Sequence, residues 1–444
     1  MFTPQSQNCP DPVLEQLARS LIIKCTFSDS NTRNDTRYAY AQFRGTPNED
    51  RFAISEDWEL NKHTWQFLAV FDGHGGPNTA EYLAKHFASH LRRSMDFYFS
   101  SSLESTTSTV LQSHSAANDN LVIEFTQDNV SELIKREVRG FDEELGNAIK
   151  AICPNPERLH DDTEAWMLYE AHKEVIARAR CGSTMAGILI DKTEHRMWVC
   201  CVGDSSVVLS TKPSGSDRRK TNLLNKHHTG FSPQEYYRVS MEHPSREWNT
   251  IWLDGEERIF GTLSMTRAFG DFMFKFPTSF TTALFSKFPS TAMKSVERVL
   301  SYNHTPPYVI PDPFVGFVDL TTFTEDEDPI LVLYTDGLEA LANRLSIARN
   351  NGASDATNGN ADAVPNAVDI IGALIDQPFD PTAFPSRYTN ILPRNNTAFN
   401  LIYNLLNGAI PTKLRAHLEF EIKRNTFDEE ELYIDDVTVI MVRP

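Results

Sequence analysis

Five short apolar runs in this sequence are typical of buried strands, and each is bordered by a carboxylate. The bordering acids are Asp72, Asp204, Asp336, the pair Asp435 and Asp436, and the pair Glu49 and Asp50, next to the runs 65–71, 196–202, 329–335, 437–442 and 51–54. One such acid is ordinarily a turn residue, since Asp-Gly and Gly-Asp-Ser are common in turns. Five acids at strand ends favour a shared cationic partner, because an ionised carboxylate beside a buried strand is costly when it is unpaired. Mg²⁺ or Mn²⁺ prefers oxygen ligands of this kind.

The run at 65–71 continues into Asp72-Gly-His-Gly-Gly, and this loop indicates chemistry in addition to metal binding. His74 lies two residues after a candidate ligand, which favours a role in proton transfer; the alternative is a histidine that only caps the next helix. Glycines at 73, 75 and 76 allow a tight turn and close approach of a ligand. The helix predicted from residue 77 directs its positive end at the loop and favours an anion there.

The order of the remaining patterns predicts an α+β sandwich in preference to a regular βαβ repeat. A further strand is expected at 183–190 and helices at 77–93, 131–152 and 164–180, from their apolar periodicity. The polar stretch 211–222 is typical of a hairpin tip or of a connection between elements. Segments near 100–119 and 346–366 are rich in turn formers and are interpreted as polar insertions.

Composition excludes several classes of function. The chain has 42 basic and 60 acidic residues, a net charge of -18, which argues against a nucleic-acid partner and against an anionic membrane surface. No apolar run approaches the ~18 residues of a membrane helix. The six cysteines form no CxxC pair, which favours a reducing compartment.

Seven blocks, in order along nearly the whole chain, resemble the metal-dependent (type 2C) serine/threonine protein phosphatases. The blocks are NEDRFAI, FLAVFDGHGG, CGSTMAGILI, VCCVGDSSVVLS, GTLSMTRAFGDFMFK, LVLYTDGL and IDDVTVIMV. The Glu-His-Pro segment at 242–244 and the His-Thr-Pro-Pro-Tyr segment at 304–308 are similar to the pyruvate dehydrogenase phosphatase subgroup.

The resemblance implies a four-layer α-β-β-α sandwich with two central antiparallel sheets and a two-metal site at one edge. It implies a catalytic domain over 31–444, after an N-terminal extension at 1–30. The implied metal-site residues are Glu49, Asp72 as the bridging ligand, Gly73 through its carbonyl, Asp336, Asp435, and Asp204 at a weaker third site. His74 is implied as the general acid, with Asp72 also essential for catalysis.

The chain departs from many relatives where an arginine would bind the substrate phosphate. That position is Gly45 here, so Arg44 is the neighbouring candidate for phosphate binding. The predicted reaction is hydrolysis of phosphoserine or phosphothreonine in a phosphoprotein, with two Mg²⁺ or Mn²⁺ ions as cofactors and a third, weaker site as a further option.

The resemblance leaves the biological setting open. It implies the E1 component of the pyruvate dehydrogenase complex as a candidate partner and the mitochondrial matrix as a location. The N-terminal stretch carries Asp11 and Glu15 and is a poor targeting signal, which favours the cytoplasm or nucleus. The alternatives are a pseudophosphatase scaffold, a cytosolic signalling phosphatase of the same fold, and a metal-dependent nuclease, which the acidic charge disfavours.

Overall fold

The computed structural model describes residues 25–29, 37–43, 48–100, 124–159, 161–216, 218–253, 257–288, 293–343, 366–377, 396–408 and 435–444. The chain divides into two compact units that interleave along the sequence. Unit 1 comprises Met1–Asn48, Val207–Leu223 and Phe323–Pro444, and unit 2 comprises Glu49–Ser206 and Leu224–Thr322.

Strands and helices alternate in clusters. The strands are β1 (Cys25–Asp29), β2 (Arg37–Phe43), β3 (Arg51–Ile54), β4 (Trp58–Leu60), β5 (His63–Phe71), β6 (Gly73–His74), β7 (Gly182–Ser183), β8 (Met185–Asp191), β9 (Arg196–Val202), β10 (Ser206–Thr211), β11 (Lys220–Leu223), β12 (Phe269–Gly270), β13 (Phe314–Asp319), β14 (Ile330–Tyr334) and β15 (Val437–Arg443). The helices are α1 (Asn78–Ser100), α2 (Gln127–Ile152), α3 (Asp162–Arg180), α4 (Pro233–Glu242), α5 (Trp248–Ile251), α6 (Phe272–Lys275), α7 (Thr278–Ala283), α8 (Met293–Tyr302), α9 (Ala367–Leu374) and α10 (Thr397–Gly408).

Unit 2 is built on a sheet with strand order β13-β9-β8-β5-β3, with β4 also paired to β5. Helix α1 packs an apolar stripe against this sheet, because Leu83 and Phe87 recur at helical spacing and are fully buried. The Phe87 ring lies 5.6 Å from Phe67 of β5 and 5.4 Å from Phe141 of α2. This aromatic layer holds two helices on one face of the sheet.

A second, small sheet in unit 2 has the order β12-β7-β6. Gly73 pairs with Ser183 and His74 with Gly182, while Phe269 and Gly270 pair with the same two residues from the other side. Three segments that are far apart in sequence therefore meet beside the loop that follows β5.

Unit 1 is built on a sheet with strand order β1-β2-β15-β14-β10-β11. Helix α10 lies against β2 and β15, and α9 lies against β11. Arg219 of the connection before β11 is buried, pairs with Asp328, and contacts Asp376 at 2.9 Å. The last strand in the chain, β15, occupies the middle of this sheet.

The predicted α+β class with two large antiparallel sheets is confirmed. The strand predicted at 196–202 is β9, and the hairpin predicted at 211–222 is formed by β10 and β11. The polar insertions fall almost entirely outside the described residues, and the domain boundaries at 1–30 and 31–444 stay predictions. None of the helices in the described ranges has the length and hydropathy needed to cross a bilayer.

Candidate active site

Two predicted ligands of unit 2, Asp72 and Asp204, lie close together although they are 132 positions apart by their residue numbers. A carboxylate oxygen of each lies within 4.8 Å of the other. Asp72 follows β5 directly, and its backbone carbonyl accepts a hydrogen bond from Thr184 N at 2.9 Å. Asp204 lies in the turn between β9 and β10 after Gly203, whose φ of 91° is in the region that favours glycine. Two carboxylates at this separation favour a cation.

Glu49 and Gly73 are also brought together by strand pairing. Arg51 of β3 pairs with Phe71 of β5, so the residues just beyond both strands are neighbours. A Cβ added at Gly73 would collide with the backbone carbonyl of Glu49. Glycine at 73 is therefore required by the close approach of the Glu49 backbone.

His74 forms a short polar contact with Asp271. Its Nε2 donates to Asp271 Oδ2 at 2.6 Å, and its Nδ1 is buried without a hydrogen-bond partner among the described residues. Burial alone would lower the pKa of His74, but the Asp271 carboxylate, with smaller effects from Asp204 and Glu49, raises it above its ordinary value. The imidazole is held with one nitrogen engaged and the other directed away from Asp271.

A buried ion pair holds the backbone next to Asp271. The Asp142 carboxylate of α2 accepts from the Gly270 backbone N–H and from Lys275 Nζ, each at 2.8 Å. The backbone N–H of Asp271 donates to the carbonyl of Cys181 at 2.9 Å. Asp271 takes a left-handed backbone conformation, φ 52° and ψ 35°, which turns the chain between β12 and α6. These contacts fix the backbone that carries the Asp271 side chain toward His74.

Gly182 lies directly beneath the His74–Asp271 contact. A Cβ at this position would overlap both His74 Nε2 and Asp271 Oδ2. The His74–Asp271 contact therefore depends on the absence of a side chain on β7.

The remaining two predicted ligands lie in unit 1, at adjacent strand ends. Strand β14 pairs with β15 so that Tyr334 faces Val439. Thr335 N donates to the Thr438 carbonyl, and Thr438 N donates to the Thr335 hydroxyl at 3.0 Å. Asp336 directly follows Thr335 and is the first residue of the helical segment 336–343. Asp435 lies just before β15. Arg44, the candidate phosphate ligand, lies outside the described residues.

Asp271 and Gly182 are site residues that sequence reasoning missed. Both belong to blocks that carried the resemblance, RAFGD and CGS, but Asp271 lies 197 positions from His74. An acid after a glycine, in a segment without strand or helix period, gave no signal of its own.

The segments that resemble the pyruvate dehydrogenase phosphatase subgroup pack against each other. The His243 ring stacks on Tyr308 at 4.0 Å, and His243 Nδ1 lies 2.9 Å from the hydroxyl of Thr305. Tyr308 and Thr305 both donate to a carboxylate oxygen of Glu247, at 2.6 and 2.8 Å. These residues brace one another, so the shared motif describes local architecture and does not by itself specify a substrate.

Comparison with known proteins finds similarity to protein phosphatases. The sequence pattern of the family described as protein phosphatase 2C matches residues 144–345. A protein phosphatase 2C homologue of Schizosaccharomyces pombe is 24% identical over 68% of this chain and 59% of its own length. The human mitochondrial protein named pyruvate dehydrogenase (acetyl-transferring) phosphatase 1 is 25% identical over 61% of this chain and 49% of its own length. A crystal structure of serine-threonine phosphatase 2C from Toxoplasma gondii is matched over 94% of this chain and 93% of that chain, at 14% identity and a TM-score of 0.38.

The antiparallel α+β fold is the one that the resemblance to the metal-dependent protein phosphatases predicts. The match to the protein phosphatase 2C family over residues 144–345, together with a curated protein phosphatase 2C homologue among the relatives, agrees with the resemblance of the sequence blocks. The chain spans between about half and three fifths of the length of the curated relatives given above.

Proposed function

We propose that this chain is a Mg²⁺- or Mn²⁺-dependent protein serine/threonine phosphatase. The observation that carries the proposal is the His74–Asp271 contact of 2.6 Å beside the carboxylates of Asp72 and Asp204. A family relationship alone would also suit a protein that has kept the fold and lost the chemistry. The oriented imidazole supports an enzyme.

The residues of unit 2 fit a hard divalent cation. Asp72 and Asp204 offer carboxylate oxygens within 4.8 Å of each other, and Gly73 leaves no side chain between them and the backbone of Glu49. Oxygen-only ligands of this type suit Mg²⁺ and Mn²⁺. By resemblance the set is completed by Asp336 and Asp435, and all these ligand roles stay predictions. When bound, two such ions lower the pKa of a water and neutralise phosphoryl charge.

His74 would supply the proton that the departing serine or threonine oxygen requires. An alkoxide is a poor leaving group, and a positioned acid lowers this barrier. Because Nε2 is engaged by Asp271, Nδ1 is the nitrogen that would donate to the substrate. Asp271 orients the ring and favours its protonated form.

Turnover is tested by release of phosphate from a panel of phosphoserine and phosphothreonine peptides, with and without Mn²⁺. We expect release only with the metal and none from a nucleic-acid substrate. Bound Mn²⁺ without turnover would favour a scaffold, and cleavage of nucleic acid would favour the nuclease alternative.

Asp72→Asn should abolish Mn²⁺-dependent turnover and leave the fold intact. Its carboxylate is the predicted bridging ligand, and the amide is a weaker, neutral ligand of the same shape. Circular dichroism and the thermal midpoint are measured beside the rate. Near-normal turnover in the folded variant would contradict the assignment of Asp72.

The finer proposal concerns the partner. By resemblance to the pyruvate dehydrogenase phosphatases, we propose the phosphorylated E1 component as a substrate, with the mitochondrial matrix as the location. Helix α4, which precedes the Glu-His-Pro segment, exposes Tyr237 and Met241 one turn apart, 67% and 73% accessible. Exposed apolar side chains at i and i+4 offer contact area to a protein substrate that a short peptide does not use.

A double variant, Tyr237→Ser with Met241→Ser, should lower the rate on phospho-E1 and leave the rate on a phosphopeptide unchanged. Binding energy from remote contacts would otherwise orient the phosphate. No preference of the unaltered chain for phospho-E1, together with cytosolic residence of the protein, would retire this partner and leave the phosphatase proposal standing.

A further inference from the structure

A buried arginine lies beside the loop that carries His74. Arg180 ends α3, is only 6% exposed, and places Nη1 3.2 Å from the position that a Cβ on Gly75 would take. Gly75 has φ 69°, so a larger residue is disfavoured at that position for two reasons. The guanidinium therefore faces the loop backbone directly.

The charge of Arg180 is not neutralised within the described part of the chain. No carboxylate forms an ion pair with it there, and its Nε is buried without a hydrogen-bond partner. The Phe288 ring lies 5.6 Å from the guanidinium carbon, and the charges that act on Arg180 come from Cys181 and from Asp271, which is already bonded to His74. Burial lowers the pKa of Arg180, but an arginine remains charged at neutral pH. A buried, unpaired charge of this kind is costly, so a functional reason for it is expected.

The N-terminus of α1, the positive end of the helix dipole, also lies near Gly75. Thr79 of its first turn donates to the Arg178 carbonyl at 2.9 Å, and Asn78 lies 3.6 Å from Cys181 Sγ, so the start of α1 is tied to the end of α3. The first N–H groups of a 23-residue helix and a guanidinium thus converge next to Gly75. Guanidinium and helix N-termini both match the geometry of phosphate oxygens.

We propose that Arg180 binds the phosphoryl group of the substrate, taking the role that the sequence left open at Gly45 and Arg44. This inference rests on the proposed phosphatase function. The positive charge comes from Arg180, two residues before β7. Among the described residues, Arg180 has no ion-pair partner.

The test compares Arg180→Met with Arg178→Met. Arg178 lies on the same helix, is 32% exposed, and contacts the Tyr82 ring and Glu174, so it controls for loss of a positive charge on α3. We measure kcat and KM on a phosphoserine peptide with saturating Mn²⁺, the inhibition constant of inorganic phosphate, and the thermal midpoint.

For Arg180→Met we expect KM and the phosphate inhibition constant to rise about 10- to 100-fold, the effect of losing a charge-assisted hydrogen bond. The thermal midpoint should stay constant or rise, since a buried unpaired charge is removed. Arg180→Lys should recover part of the loss. A lower midpoint with unchanged KM and inhibition constant would make Arg180 a structural residue and overturn the inference.

Failure of the phosphatase proposal is distinguished by a binding measurement. If the unaltered protein shows no turnover, the change in its thermal midpoint with inorganic phosphate still tests Arg180. A phosphate-dependent rise that Arg180→Met abolishes supports the anion site without the enzyme. If inorganic phosphate raises the thermal midpoint equally in the unaltered protein and in Arg180→Met, or raises it in neither, the proposed anion site is overturned.

Discussion

At the scale of single residues, the site depends on the protonation state of the His74 imidazole, which the surrounding residues set. Burial disfavours the charged ring of His74, and the Asp271 carboxylate at 2.6 Å outweighs that effect and raises its pKa. The backbone next to Asp271 is in turn held by the hydrogen bond from Gly270 N–H to Asp142. These contacts favour the protonated form of the ring, as a general acid requires.

His74→Ala should slow hydrolysis of phosphoserine by about 10²- to 10⁴-fold, the usual range for general acid catalysis. An aryl phosphate such as p-nitrophenyl phosphate has a better leaving group and should lose less. Asp271→Asn should act in the same direction with a loss no larger than that of His74→Ala. Rates of both variants and of the double variant are compared on both substrates.

The double variant decides whether the two residues act as a unit. Its rate on phosphoserine should equal that of His74→Ala, because Asp271 has no further role once the ring is absent. Equal losses on both substrates would remove His74 from proton donation, and additive losses would assign Asp271 a separate function.

At the scale of elements, the three-stranded sheet β12-β7-β6 is the device that assembles the site. Each of its strands has only two residues, yet the sheet joins the loop after β5 to the RAFGD block. Its central strand carries Gly182, beneath the His74–Asp271 contact. The site therefore tolerates no side chain at that point.

Gly182→Ala should reduce activity at least as strongly as Asp271→Asn, because the new methyl group overlaps both partners of the contact. Gly140→Ala is the matched control: a Cβ on this α2 residue meets nothing within 4 Å, and alanine favours a helix. Activity and the thermal midpoint are measured for both. Unchanged activity in Gly182→Ala would show that the ring and carboxylate need not lie in contact.

The elements with strong periodicity could be predicted from the sequence. The run 196–202 is β9, and the helices predicted at 131–152 and 164–180 are contained in α2 and α3. The segment between residues 224 and 312 could not be predicted, since its helices are short and its apolar residues follow no single period.

Prediction of the site had a related limit. Acids at strand ends can be recognised in the sequence because the adjacent strand has a clear apolar pattern. Asp271 and Arg180 gain their meaning from partners that only the fold supplies, namely His74 and the backbone of Gly75.

At the scale of the whole molecule, buried ionisable groups in unit 2 set the response to acid. Burial alone would raise the pKa of Glu235, but hydrogen bonds and charge from Arg267 and Arg238 hold it at about 2. Burial, with the charge of Arg267, lowers the pKa of His228 to about 3. In both cases the unfolded chain binds a proton more readily than the folded protein, so stability falls as the pH falls.

The midpoint of urea unfolding should therefore decrease from pH 7 downward, first through His228 below its ordinary pKa of 6.5 and then through Glu235 below 4.5. Glu235→Gln should lower the midpoint at pH 7 and flatten the profile below pH 5, because Arg267 loses its ionised partner. Glu144→Gln, at an exposed position on α2, is the control. A midpoint that stays constant from pH 7 to pH 4 would contradict this account.

The place of β15 in the sheet of unit 1 has a consequence for biosynthesis. This strand, residues 437–443, lies between β2 and β14, so the middle of the sheet is the last part of it to leave the ribosome. Until then, β2 has no partner on that side, although more than 390 residues have been made since it emerged. Contacts this distant in sequence are slow to form and leave strand edges open to wrong pairing. Unit 1 cannot complete this sheet until residues 437–443 have emerged, and a nascent chain that stalls before residue 437 exposes two strand edges to chaperones and proteases.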